Sequence, residues 1–164
     1  MFKNKYFFVS IFVFSFFSVF SLFADDNLKD DLGVLPKSAV KKISKLLNAT
    51  IKKTEVDNTV VIVQDDDEVS EDNMATEMIE NIANDDKKYD GILLLIVLDK
   101  NQEVSALYMA AHGKKSEAVI TKQRMHYIMD VAFDLGIEDE KYEAGIEVYA
   151  KMVELFFEHA ENAD

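Results

Sequence analysis

Four side chains of types that do chemistry fall within a short stretch of this chain: Asp86, Asp90, His112 and Glu117. Carboxylate oxygens with one imidazole suit a hard divalent cation such as Ca2+ or Mg2+. A cation held there could offset charge on the oxygens of a phosphate monoester, with His112 as proton donor to the leaving group. The plainer reading of the same residues is a set of solvated loop acids. Asp86-Lys87-Lys88-Tyr89-Asp90-Gly91 looks superficially like the start of an EF-hand loop. It fails at the third position, Lys88, and at the twelfth, Val97, where a bidentate Glu is needed. His126 and His159 are not spaced as a ligand pair, and no Ser sits in a Gly-x-Ser-x-Gly elbow. With five glycines in all, the chain builds no phosphate-cradling loop, so no nucleotide cofactor is expected. The acidic runs Asp65 to Glu68 and Glu138 to Glu140 read as solvated loops.

Whether the four candidates meet depends on the elements that carry them. Ile92 to Leu98 is an unbroken apolar run, too short to span a membrane and rich in branched side chains, which predicts a strand. Asp99 to Glu103 breaks the run and Val104 to Ala111 resumes it, which predicts an antiparallel hairpin. The start of the first strand and the end of the second then share one end. That brings Asp85, Asp86 and Asp90 toward Ala111, His112 and Glu117. A strand apolar on both faces must be covered on both faces.

Thr59 to Val63 is a β-branched run and a second buried strand. Ser70 can cap the helix that follows it, with Met74, Met78, Ile79 and Ile82 as the apolar stripe. Strand, helix and strand make a crossover unit, so strands 59–63 and 92–98 are predicted parallel. Pro36 suits the first turn of an earlier helix whose core side is Val40, Ile43, Leu46, Leu47 and Ile51. Lys37, Lys41 and Lys45 form a basic stripe on its opposite face. A helix near Ala118 to Leu135 is predicted to stop at Gly136, and a last one starts near Tyr142. The predicted class is α/β: a three-layer α/β/α sandwich over residues 35–160. Its small mixed sheet, a parallel crossover pair plus an antiparallel hairpin, is flanked by about four helices.

Residues 1–24 stand apart. Lys3 and Lys5 precede an apolar run from Tyr6 to Phe23, a small residue ends it at Ala24, and Asp25-Asp26 follows. That layout predicts a secretory signal peptide cut near Ala24, and therefore a periplasmic or otherwise extracytoplasmic protein. An uncleaved N-terminal anchor is the alternative. Residues 25–34 read as a flexible acidic lead-in, and no transmembrane segment is expected after the cut. Cleavage would leave 16 basic against 31 acidic residues, a charge of −15 on 140 residues. Such a chain is repelled by nucleic acid, which is not an expected partner. Without cysteine there is no disulfide and no thiolate nucleophile.

Three local patterns carry a family resemblance: Asp90-Gly91-Ile92-Leu93-Leu94-Leu95, Glu117-Ala118-Val119-Ile120-Thr121 and Tyr142-Glu143-Ala144-Gly145-Ile146. In this order the chain resembles the TPM domain family from about Val34 to Phe157. The departures are Tyr89 and Lys141, each where an acid is usual, and Ala111-His112-Gly113 in place of Gly-Tyr-Gly. An arginine usual in the third helix falls at or beside His126. The resemblance implies an exported or membrane-tethered domain, divalent-metal binding in some members, and acid phosphatase activity in some. Two expectations follow. The first is a non-catalytic interaction or accessory module for an envelope or membrane-protein assembly. The second is a metal-dependent, phosphatase-like hydrolase of phosphate monoesters, with Asp86, Asp90 and Glu117 on the metal and His112 beside it.

Overall fold

A computed structural model describes residues 27–65, 74–85 and 88–162. Branched apolar runs make its sheet. The elements in order are β1 (Leu28–Asp30), α1 (Lys37–Thr54), β2 (Asp57–Gln64), α2 (Met74–Asp85), β3 (Gly91–Leu98) and β4 (Val104–His112). Then come α3 (Lys114–Val119), α4 (Lys122–Ala132), a π-helical turn (Phe133–Ile137) and α5 (Tyr142–Glu161). The sheet order is β1-β2-β3-β4. β2 and β3 are parallel, with Asp57 opposite Gly91. β3 and β4 are antiparallel, with Gly91 opposite His112.

All eight residues of β3 are buried, which requires cover on both faces. On one face Ile92, Leu94, Ile96 and Leu98 meet α1, α4 and α5 through Ile43, Leu47, Ile128, Tyr149, Val153 and Phe157. On the other, Leu93, Leu95 and Val97 meet Met74, Met78 and Ile79 of α2. The methionines of α2 are core filler. The three-layer sandwich with a mixed sheet is therefore the fold, with its helices shared unequally between the faces.

Some expectations are corrected. The lead-in at 25–34 contains a fourth strand: Leu28–Asp30 pairs parallel with β2, and Leu28 is buried. Three residues are too few to show a strand period. The Asp30 carboxylate accepts hydrogen bonds from the Val34 and Leu35 N–H groups, which turns the chain toward α1. Among the described residues the α-helices number five, in keeping with the expected count, a short one (Lys114–Val119) preceding and just overlapping the helix expected over 118–135. Thr121 caps α4 by accepting from the Arg124 N–H. Gly136 is no left-handed stop. It lies inside the π-turn, where an added Cβ would stand 2.4 Å from the Gly145 nitrogen. Residues 1–24, Asp66 to Glu68, Ser70 and Asp86 lie outside the described residues.

Candidate functional site

The hairpin delivers its expected end-to-end placement. Gly91 and His112 face each other across β3 and β4, so Asp90 lies where the chain leaves β4 for α3. What Asp90 does there is structural. Its Oδ2 accepts from the Lys115 N–H at 2.7 Å and its Oδ1 from the Ser116 N–H at 2.8 Å. These are donors of the first turn of α3, left without helical acceptors. The residue in the N-cap position, Gly113, has no side chain to offer. Asp90 supplies the cap from another part of the chain.

The same end is closed by further fasteners. Glu117 Oε1 accepts from the Gly113 N–H at 3.1 Å. The buried Ser116 hydroxyl donates to the His112 carbonyl at 2.7 Å. Asp90 accepts at its carbonyl from the Asp57 N–H at 2.9 Å, tying the same residue to β2. Lys115 Nζ lies 3.1 Å from Glu55 Oε2, just past the end of α1. Gly113 sits at φ +108°, and a Cβ there would fall 2.6 Å from the Asp90 Cγ. Only glycine lets the loop pass this carboxylate. Burial alone would raise the Asp90 carboxyl. Hydrogen bonds from Ser116 and Lys115 and the Lys115 charge outweigh it and hold the group below the usual carboxylate range.

His112 is half-buried, and its ring stacks on Tyr89, centroids 6.4 Å apart at 30°. Tyr89 folds back over Gly91, where an added Cβ would meet its hydroxyl at 2.2 Å. Burial, with Asp57 nearby, pushes the Tyr89 phenol well above its ordinary range. It stays protonated and neutral at any physiological pH.

Of the candidate set, Asp90 and Glu117 converge on one short helix start, and His112 lies beside them in the chain. Both described carboxylates are engaged by backbone amides. Among the described residues no three His, Asp or Glu side chains are grouped to hold a metal ion. Asp65 lies at the far end of the sheet, its N–H on the Leu98 carbonyl at 2.7 Å.

Sequence reasoning missed Ser116 and Arg124. Arg124 is the single arginine of the chain. It donates from Nη1 to the Val119 carbonyl at 2.6 Å and lies 4.9 Å from the Phe156 ring centroid. It joins the end of α3 to α5, two residues before the exposed His126. A lone arginine in a lysine-rich chain was the available signal, since a planar fork reaches a carbonyl and a ring together. A cleft of about 530 Å3 lies between the starts of α1 and α5, lined by Leu35, Pro36, Lys42, Tyr142, Glu143 and Glu147. Tyr142 donates to the Gln102 carbonyl in the β3–β4 turn, which puts this cleft at the opposite end of the sheet from Asp90.

The architecture defines a class: a small α/β/α domain on a four-stranded mixed sheet. The TPM domain pattern matches residues 28–155, and the chain belongs to that family. Solved structures agree on the fold. The N-terminal domain of a protein from P. gingivalis is 15% identical with a TM-score of 0.67, covering 83% of this chain and 84% of its own. The N-terminal domain of the cg2496 protein from Corynebacterium glutamicum is 13% identical with a TM-score of 0.61, covering 82% and 81%. The BA42 protein from the psychrophilic bacterium Bizionia argentinensis is 12% identical with a TM-score of 0.58, covering 79% and 86%. At these identities the likeness is one of fold. No curated protein matches the sequence.

Proposed function

We propose that this chain is a non-catalytic, extracytoplasmic accessory module that docks on a membrane protein or envelope assembly. One observation carries the reading: Asp90, a candidate metal ligand by sequence, serves as the cap of α3, each oxygen accepting from a backbone amide. Glu117 turns back onto the same loop. A phosphoryl-transfer site needs positive charge aimed at phosphate oxygens. This end of the sheet instead gathers carboxylates and a neutral phenol, and the cation beside them, Lys115, is already paired with Glu55. The export expectation rests on the layout of residues 1–24. Among the described residues no helix is long and apolar enough to cross a membrane.

The test is hydrolysis of a generic phosphate monoester with added Mg2+ or Ca2+. The expected rate equals that of the Asp90→Ala protein and of buffer. Metal-dependent turnover lost in a folded Glu117→Gln protein would replace this reading with the hydrolase.

A further inference from the structure

Helix α1 breaks two local rules of charge. It carries six lysines and no acid over its 18 residues, in a chain of net charge −13. Lys37 occupies its first position, where the helix dipole disfavours a cation. Lys37, Lys41 and Lys45 follow at four-residue steps, a like-charge arrangement that costs helix stability. Residues that weaken their own helix without a compensating contact point to a use elsewhere.

The lysines divide into two sets. Lys42 pairs with Glu143 at 2.8 Å and also with Glu147. Lys53 pairs with Glu154. Lys42 and Lys53 are eleven residues apart, and so are Glu143 and Glu154, in the same direction. Helices α1 and α5 therefore lie side by side, parallel, in a register set by carboxylates. Lys37, Lys41, Lys45 and Lys52 are exposed, and none of them is ion-paired among the described residues. At 3.6 residues per turn they fall within an arc of about 80° on the solvent face. Lys41 and Lys52 repeat the eleven-residue spacing that α5 satisfies on the neighbouring flank.

We infer that this free stripe docks an acidic helix of a partner protein, laid along α1 as α5 is. The inference rests on the reading of the chain as a docking module and names its contact face. A helix fits because it is narrow enough, about 10 Å across, to meet the stripe alone. A flat anionic surface such as a lipid bilayer would also be brought against Glu143, Glu147 and Glu154, and against the charge of the whole chain. Local attraction of the stripe extends only about 8–10 Å at physiological salt. That range favours a slender partner in contact over a broad one at a distance.

The probe is an alanine-based helical peptide whose glutamates repeat the spacing of Glu143, Glu147 and Glu154. Its control has the same composition with the glutamates scattered round the helix. Fluorescence anisotropy with the purified chain at low salt should show the ordered peptide bound about tenfold tighter than the control, and released by added salt. Lys41→Glu with Lys45→Glu should abolish the preference, and Lys41→Gln with Lys45→Gln should weaken it, both with a melting midpoint no lower than the wild type's. Equal binding of the two peptides, or undiminished binding by the folded Glu variant, overturns the inference. So does binding to phosphatidylglycerol vesicles without binding to the peptide. Phosphate ester hydrolysis measured on the same samples separates the two claims. An inactive protein that ignores the peptide loses only this face, whereas an active one loses the docking-module reading.

Discussion

Four carboxylates of this chain serve backbone amides. Asp30 holds the turn into α1, Asp90 caps α3, and Glu117 closes back on Gly113. Asp99 accepts from the Asn101 and Glu103 N–H groups in the β3–β4 turn. A charged acceptor on a backbone N–H makes a strong hydrogen bond, and losing it leaves the donors unpaired. Asp90→Ala is expected to cost about 2 kcal/mol in chemical denaturation, from two first-turn donors losing their acceptor. The pH dependence follows from the lowered Asp90 carboxyl. Its contribution is complete above the unfolded-state value near 3.8 and is lost as pH falls through the lower folded-state value. Acid titration of stability should therefore be flatter in Asp90→Ala than in the wild type below about pH 4. The position of Asp90 was legible, because a hairpin fixes which ends meet. Its role was not, because the amides it caps lie 25 residues away. The local cap signature spans only about three residues.

At the scale of elements, the family-like residues resolve into joints. Tyr142 ties the start of α5 to the β3–β4 turn through the Gln102 carbonyl, at 2.8 Å. Gly145 lets α5 approach the π-turn: an added Cβ would meet Ile137 Cγ1 at 2.4 Å and the Ala132 carbonyl oxygen at 2.9 Å. Gly145→Ala forces that contact apart and is expected to lower stability by about 2 kcal/mol, measured by urea unfolding. Tyr142→Phe removes one hydrogen bond and should cost about 1 kcal/mol in the same measurement. The hairpin and the parallel pair were readable because their branched runs allow only buried strands. The edge strand β1 was not, since its three residues, Leu28–Asp30, gain strand geometry only from β2 beside them. The division between α3 and α4 was hidden for another reason. Val119, Ile120 and Ile128 all pack into the same core, so apolar residues run on across the break and do not mark it.

Across the whole molecule, charge is sorted rather than mixed. Six of the 18 basic residues stand on α1, and α5 answers two of them with Glu143, Glu147 and Glu154. Between these helices and the sheet lies one fully buried polar pair, the Tyr149 hydroxyl donating to Asn58 Oδ1. Burial drives the Tyr149 phenol well above its ordinary range, so it remains a donor throughout the stable pH range. Tyr149→Phe leaves the amide oxygen unpaired in the core and should lower the melting midpoint, a loss of about 1–3 kcal/mol. The fold holds its helices by such joints at both ends of the sheet. The end that sequence marks for chemistry is among the most tightly fastened.

The direct measurement is thermal melting of the wild type and Asp90→Ala, each with and without millimolar Ca2+ or Mg2+. If Asp90 is a helix cap, the wild-type midpoint stays the same with either ion, and the variant melts about 5–10 °C lower in every condition. A ligand held by the native state must raise the midpoint. An ion-dependent rise in the wild type that vanishes in Asp90→Ala would instead make this carboxylate a metal ligand.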